Sequence, residues 1–345
     1  MNGIRPMDGY RPIILTDDDK FYILDQRKLP ARIEYIEANS VEVVCGAIKE
    51  MAVRGAPLIG ITAAIGLYLA IKNANSLDEL NRLFSEAYSC LSKTRPTAVN
   101  LFWALDTMRS VKDEKELILP LEKLVKKLRA TAISIWEKQK LVDKLIGEAG
   151  SEFLKGKKRI LTHCNTGTLA TGGIGTALGI IKTMHKSGDI DIVYIDETRP
   201  YFQGMRLTAF ELSQEGISYK IITDNSCGML FRENLVDAVI VGADRIARNG
   251  DTANKIGTYC LAAMCKKHNI TFVVAAPEST IDRTISSMDD IPVEKRDREE
   301  VLQVAGKYLA PEGSDALYYS FDLTEAELIS AIITEKGVYR YPYNF

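Results

Sequence analysis

Arg159-Ile160-Leu161-Thr162-His163-Cys164-Asn165-Thr166-Gly167, followed closely by Gly172-Gly173-Ile174-Gly175-Thr176-Ala177-Leu178-Gly179, is the stretch that decides the fold. An apolar strand, a polar Cys-Asn-Thr-Gly corner and a glycine-studded helix start succeed one another, which is the first half of a βαβ unit. The pattern then repeats. Ile190–Ile195 ends in Asp196-Glu197-Thr198-Arg199-Pro200, and Tyr219–Thr223 in Asp224-Asn225-Ser226. Ala238–Val241 ends in Gly242-Ala243-Asp244-Arg245, and Thr271–Ala275 in Ala276-Pro277-Glu278-Ser279-Thr280. Helix-period stretches, among them Leu207–Ser213 and Ala253–Lys267, lie between. Near-continuous β-branched runs alternating with amphipathic helices predict a parallel sheet covered on both faces. Ligands of such sheets sit at the carboxyl ends of the strands, so one thiol and several acids, amides and hydroxyls gather along a single rim.

Upstream the pattern is helical. Weak alternation over Pro12–Ile23 predicts short strands. Val41, Val44, Cys45 and Ile48 form one stripe of a helix over 40–51, which stops at Arg54-Gly55-Ala56-Pro57. Ile59–Ile71 is apolar all round and reads as a buried helix. Ser76 caps the next helix, in which Leu77, Leu80, Phe84, Ala87 and Leu91 follow a 3.6-residue period. Thr94-Arg95-Pro96-Thr97-Ala98-Val99-Asn100 breaks the pattern before Leu101–Met108 resumes it. A long helix from Leu121 to about Ile146 follows, and Gly147, Gly150 and Gly156 mark a boundary. The expected fold class is α/β: a mostly helical N-terminal domain over 1–120, a connecting helix over 121–150 and a Rossmann-like parallel-sheet domain over 151–345.

The 345 residues are 46% hydrophobic and 26% charged, as in ordinary soluble proteins. A net charge of −2 argues against the broad basic field of a nucleic-acid binder. Met1-Asn2-Gly3-Ile4-Arg5-Pro6 lacks the apolar core of a signal peptide, and no apolar run approaches membrane-spanning length. Six cysteines without a Cys-x-x-Cys pair, beside three histidines, make a zinc site an unfavoured expectation. Cys45, Cys90, Cys260 and Cys265 read as small hydrophobes within helices. A reducing, cytoplasmic location is expected.

Cys164 at a helix start, among backbone amides, is placed to ionise near neutral pH; a buried inert thiol is the plainer alternative. His163 is not its base by adjacency, because neighbouring strand residues face opposite ways. Asp244 ends its strand on the same rim, as a general acid or base or simply as a turn cap. Asn249-Gly250-Asp251-Thr252-Ala253-Asn254-Lys255-Ile256-Gly257 reads as a polar loop entering a helix, where a lysine sits best when it shares an anionic ligand with the amides. Arg54 and Arg95 offer guanidinium forks for phosphate or carboxylate, unless they are ordinary surface arginines. Gln203 and Gly204 offer hydrogen bonds suited to sugar hydroxyls or a phosphate, or form a plain turn. The glycine cluster from Gly173 reads Gly-x-Gly-x-x-Leu and only partly matches a dinucleotide fingerprint, with Asp196 as the ribose-binding acid.

Taken together these motifs resemble the methylthioribose-1-phosphate isomerase family, within the larger family that includes initiation factor 2B regulatory subunits. The resemblance runs over nearly the whole chain. It is carried by Leu24-Asp25-Gln26, Arg54-Gly55-Ala56-Pro57, Arg95-Pro96-Thr97-Ala98-Val99-Asn100-Leu101, His163-Cys164-Asn165 and Glu197-Thr198-Arg199-Pro200-Tyr201. Gln203-Gly204, Gly242-Ala243-Asp244-Arg245-Ile246, Asn249-Gly250-Asp251 and Asn254-Lys255-Ile256-Gly257-Thr258 extend it. Ala275-Ala276-Pro277, Ser279-Thr280-Ile281-Asp282 and Ile332-Ile333-Thr334-Glu335-Lys336-Gly337 complete it. The resemblance implies an aldose–ketose isomerase of methionine salvage with Cys164 and Asp244 as its catalytic pair. It implies substrate binding by Arg54, Gly55, Ala56, Arg95, Gln203, Asn254 and Lys255, and a homodimer needing no metal or organic cofactor. Ribose 1,5-bisphosphate and 5-deoxyribose 1-phosphate are alternative substrates, and a non-enzymatic regulatory subunit is the alternative from another class. Two departures stand out. Tyr318-Tyr319-Ser320 replaces an expected Asn-Pro-Ala, and Ser226-Cys227 occupies a place where small or Met residues are usual. Both bear on the pocket wall and on the substituent accepted at the sugar's C5.

Overall fold

The structure is a computed structural model and describes residues 9–95, 99–114, 119–293 and 295–345. Contacts divide the chain into two units, Met1–Asp143 with Thr168–Gly175, and Lys144–Gly167 with Thr176–Phe345.

In the first unit, strands β1 (Ile13–Leu15), β2 (Phe21–Leu24) and β3 (Tyr35–Glu37) form an antiparallel sheet. Helices α1 (Val41–Lys49), α2 (Ala56–Ile71), α3 (Leu77–Ser92) and α4 (Val99–Lys112) follow, then α5 (Leu121–Phe153), which runs on into the second unit. The apolar stripes decide the packing. Ile61, Ile65 and Leu67 of α2 are buried with Val44 and Ile48 of α1, Phe84 of α3 and Leu101 and Leu105 of α4. Leu128, Ala132 and Ile135 of α5 join the same core. Ser40 and Ser76 cap α1 and α3 by accepting the N–H groups of Val43 and Glu79. Cys45 and Cys90 lie in this core as the sequence predicts, and the faces of α1 and α3 that carry them meet, with their Cα atoms 6.6 Å apart. Pro96, Thr97 and Ala98 of the expected break, and the Met1–Pro6 terminus, lie outside the described residues.

In the second unit, strands β4 (Arg159–Thr162), β5 (Ile192–Asp196), β6 (Tyr219–Ile222), β7 (Ala238–Val241), β10 (Thr271–Ala275), β15 (Ala331–Thr334) and β16 (Gly337–Tyr339) form one sheet in the order β16-β15-β10-β7-β4-β5-β6. All pairs are parallel except β15–β16. Strand order therefore reverses between β4 and β7, and in open α/β sheets a ligand crevice forms outside the strand ends at such a switch point. A second sheet of β8 (Arg245–Ala247), β9 (Thr252–Lys255), β11 (Ile281–Asp282) and β14 (Phe321–Thr324) grows from the β7 tip. The hairpin β12 (Gln303–Val304) and β13 (Lys307–Tyr308) stands apart from both sheets. The remaining helices are α6 (Thr168–Thr171), which belongs to the first unit, and α7 (Ala177–Lys186), α8 (Ala209–Gln214), α9 (Cys227–Arg232), α10 (Thr258–His268) and α11 (Glu299–Leu302).

Two expected helices do not start where the pattern put them. Residues 253–255 belong to β9, which pairs with β8 on one side and β14 on the other, so the helix waits for the left-handed Gly257 (φ +108°) and begins at Thr258. The 207–213 helix opens as a π turn over Gly204–Thr208 before α8 takes over. Among the described residues no helix is long and apolar enough to cross a membrane.

Candidate active site

Cys164 leaves β4 in the left-handed region, φ +60°, a conformation that costs an L residue about 1 kcal/mol or more and persists only where the surroundings fix it. Two threonines fix it. The Cys164 N–H donates to Thr198 Oγ1 at 2.9 Å, and Thr208 Oγ1 donates to the Cys164 carbonyl at 2.6 Å. Thr198 is itself left-handed and fully buried, its N–H donating to an Asp224 carboxylate oxygen at 2.7 Å. The tips of β4, β5 and β6 are thus hydrogen-bonded to one another around the thiol, which is 7% exposed.

The two neighbours of Cys164 point into separate polar clusters. His163 is 1% exposed; its Nδ1 lies 2.9 Å from Asp196 Oδ2 and its Nε2 2.9 Å from the Ile256 carbonyl. A carbonyl only accepts, so Nε2 carries a proton. The Nδ1 contact needs a second proton, on the ring or on the carboxyl. The pair therefore holds one proton more than a neutral imidazole beside a carboxylate. Burial alone would push the His163 pKa down, but the Asp196 hydrogen bond and charge, with Asp224 and the Ile256 carbonyl, outweigh it and push it up. Burial raises Asp196 in turn. His163, Asp196 and Asp224 offer ligating atoms within 4.8 Å of one another. Yet Asp196 is bonded to the ring, and the two Asp224 oxygens take the N–H groups of Thr198 and Arg199, so the cluster works as scaffold. Asn165, on the other side, donates to Glu211 Oε1 at 2.9 Å, while Lys182 Nζ donates to Glu211 Oε2 at 3.0 Å. For Lys182 burial opposes the charge, and Glu211 and Glu215 overcome it, raising its pKa.

Asp244 follows β7 by three residues. Cα pairing of Ile160, Leu161 and Thr162 with Ala238, Val239 and Ile240 brings the Cys164 corner level with Gly242, so the thiol and Asp244 leave adjacent strand tips on the switch-point edge. Asp244 is half-buried, and its N–H donates to the Ala253 carbonyl. Gln203 is 6% exposed and its Oε1 has no hydrogen-bond partner. Asn254 donates to Thr258 Oγ1 at 2.9 Å. Lys255 is not a helix-entry lysine. It ends β9, its Nζ donates to the Ser320 carbonyl at 3.0 Å, and it lies 4.6 Å from the Phe321 ring centroid. The start of α10 is served by Asp322, whose Oδ2 accepts the Gly257 N–H at 2.7 Å.

Arg54, Gly55, Ala56 and Arg95 belong to the first unit. Gly55 (φ +92°) precedes α2, and a side chain there would collide with the backbone of Ala170 in α6. Arg54 and Arg95 are half-buried. The glycine cluster that invited a dinucleotide reading is explained by packing. Asp143 of α5 accepts the N–H of Gly175 at 2.9 Å, Gly173 leaves no room for a Cβ against the Asp143 carboxylate, and Trp136 Nε1 donates to the Gly172 carbonyl.

Of the two threonines that set the shape of the corner, Thr198 lies in the Glu-Thr-Arg-Pro run after β5, whereas Thr208 carries no motif of its own. His163 was visible in the sequence, but its partner, 33 residues away, was not.

A strained thiol and a carboxylate at the switch point of a parallel sheet, in a chain that also carries a helical unit, define the class. The chain belongs to the initiation factor 2 subunit family, whose profile matches residues 52–341. Methylthioribose-1-phosphate isomerase of Thermotoga petrophila is 51% identical over 325 residues, covering 94% of each chain. The crystal structure of 5-methylthioribose 1-phosphate isomerase from Pyrococcus horikoshii superposes with a TM-score of 0.91 at 40% identity, covering 96% of this chain and 93% of that one. Translation initiation factor eIF-2B subunit delta from A. fulgidus superposes with a TM-score of 0.86 at 38% identity, covering 97% of each.

Proposed function

We infer that this chain is an aldose–ketose isomerase that converts 5-methylthioribose 1-phosphate to 5-methylthioribulose 1-phosphate in methionine salvage. The observation that carries the reading is 51% identity across 94% of both chains to an isomerase of that name. Cys164 and Asp244 at neighbouring tips of β4 and β7 supply the chemistry it needs.

The C1 phosphate of the substrate prevents simple opening to a free aldehyde. Asp244 protonates the ring oxygen as the C1–O bond breaks. Hydrogen then passes from C2 to C1 and leaves the ketose. Cys164, as thiolate, shuttles that hydrogen as a proton through an enediol-like intermediate; a direct hydride shift in a dry site is the competing route. Gln203, Asn254 and Lys255, with Arg54, Gly55, Ala56 and Arg95, hold the sugar and its phosphate. The unpartnered Gln203 Oε1 supports a ligand contact. The reading includes a homodimer in the cytoplasm, with no metal or organic cofactor.

A direct assay on the purified chain tests it, with ribose 1,5-bisphosphate and 5-deoxyribose 1-phosphate beside methylthioribose 1-phosphate. No turnover of the last would overturn the reading. A stable complex with translation factors and no isomerase activity would favour the regulatory type. In deuterated water, label appearing at C1 supports the proton route and absence of label supports the hydride shift.

A further inference from the structure

Tyr318 is 5% exposed, and its hydroxyl has no hydrogen-bond partner. A buried hydroxyl left unpaired costs about 1–3 kcal/mol, and native proteins keep few of them. Tyr343 shows what a structural tyrosine does at similar burial: its hydroxyl donates to the Ile329 carbonyl at 2.7 Å. Tyr318 departs from that pattern at a telling place. Cys164, Tyr201, Arg296 and Glu300 are among the charged or titratable groups in its electrostatic surroundings. Arg296 is turned to Glu300, with Nε 2.8 Å from Oε2 and Nη2 2.6 Å from Oε1, and the Tyr201 hydroxyl bonds the same carboxylate. The backbone at and after Tyr318 is pinned. The Tyr318 carbonyl accepts the Arg296 N–H at 3.1 Å, and two residues on, the Ser320 carbonyl accepts both Lys255 Nζ and the Ile256 N–H. Burial pushes the phenol pKa up, so at neutral pH it remains a donor. A fixed, protonated, unpaired donor within electrostatic reach of the thiol and beside the Lys255 strand is what a substrate oxygen would complete.

We propose that Tyr318 is a substrate-contacting residue whose hydroxyl donates a hydrogen bond to an oxygen of the sugar phosphate held beside Cys164. This rests on the isomerase reading and names one more contact in the same site. It also gives the Tyr-Tyr-Ser departure a purpose, since a side chain reaching the ligand at this point sets which sugars are accepted.

The test compares Tyr318→Phe and Tyr343→Phe with the parent chain, in steady-state turnover of 5-methylthioribose 1-phosphate and in thermal unfolding. Tyr318→Phe should lower kcat/KM about 10- to 100-fold, the range for one lost contact to a substrate oxygen. Its unfolding midpoint should equal or exceed the parent's, because the substitution removes an unsatisfied group and nothing else. Tyr343→Phe, losing a satisfied bond to the Ile329 carbonyl, should show the reverse: a lower midpoint and unchanged kcat/KM. The proposal fails if Tyr318→Phe stays within twofold of the parent in kcat/KM, or if its midpoint drops as that of Tyr343→Phe does, the mark of a structural hydroxyl. An inactive parent would overturn the isomerase reading and this contact with it, whereas an active parent with an indifferent Tyr318→Phe overturns the contact alone.

Discussion

The two flanks of Cys164 do the same job by different means. On one side His163 is locked between Asp196 and the Ile256 carbonyl, in surroundings of Asp224 and Asp322. On the other, Asn165 is locked to Glu211, whose charge is balanced by the buried Lys182. Each cluster is nearly sealed from water, so each must keep its polar atoms paired or lose stability. The Asn165 side rests on a lysine whose pKa is raised from an already basic value, so it stays charged throughout the neutral range. The His163 side depends on one added proton. The corner that strains the thiol is therefore rigid at one end and titratable at the other.

The widest way to break this comparison is to remove what the corner presents. Cys164→Ser keeps every backbone contact of the strained residue and should lower kcat by 10³-fold or more, about 4 kcal/mol of transition-state free energy. The unfolding midpoint should stay within a few degrees. Asp244→Asn should fall in the same range. Turnover near the parent's in either variant means the corner's geometry serves something other than this sulfur and acid. The next largest effect concerns the rigid flank. Lys182→Met leaves Glu211 buried without its cation, which in comparable sites costs about 3–5 kcal/mol, read by urea unfolding. A loss under about 1 kcal/mol would show that Glu211 takes up a proton without penalty and that the two flanks are not different in kind. Thr198→Val should cost less, about 1–2 kcal/mol, by leaving the Cys164 N–H unpaired. It should also lower kcat more than KM rises, because it loosens the thiol and leaves the sugar contacts alone.

The sheet was legible because its strands are buried on both faces and so are written as unbroken apolar runs; Ala238–Val241 and Thr271–Ala275 have the ends the pattern predicts. The small sheet was not. β8, β9 and β14 are three or four residues each and carry polar side chains at Arg245, Asn254, Lys255 and Asp322, so their pairing depends on partners distant in the chain rather than on alternation. The same limit hid the flanks of the corner. Nothing local to His163 announces Asp196, and nothing local to Asn165 announces Lys182, since both contacts cross between elements. Cys164 and Asp244 were legible as rim residues because strand ends are. That they flank the point where strand order reverses required the order itself, which no single segment encodes.

The most gradual expected signal separates the flanks most cleanly, because it is read as a slope. The raised His163 pKa means that the folded chain holds a proton which the unfolded chain, with a histidine near its ordinary value of about 6.5, releases more readily. Stability linked to His163 is then fully present below that ordinary value and is lost as pH rises through the higher, folded-state value. Asp196, raised by burial, carries the same sign through the one proton it shares with the ring, whereas Lys182, raised from an already basic value, contributes nothing in this window. Urea unfolding between about pH 6 and pH 9 should give a free energy that declines with pH in the parent. In His163→Gln, which keeps a side-chain amide near the Asp196 carboxyl but cannot take up the proton, the curve should be flatter and lower at the acidic end, by about 1–3 kcal/mol for the lost charged hydrogen bond. A parent and variant with the same slope would mean that the His163 flank is as indifferent to pH as the Asn165 flank, and that the strained thiol is held by two clusters of one kind.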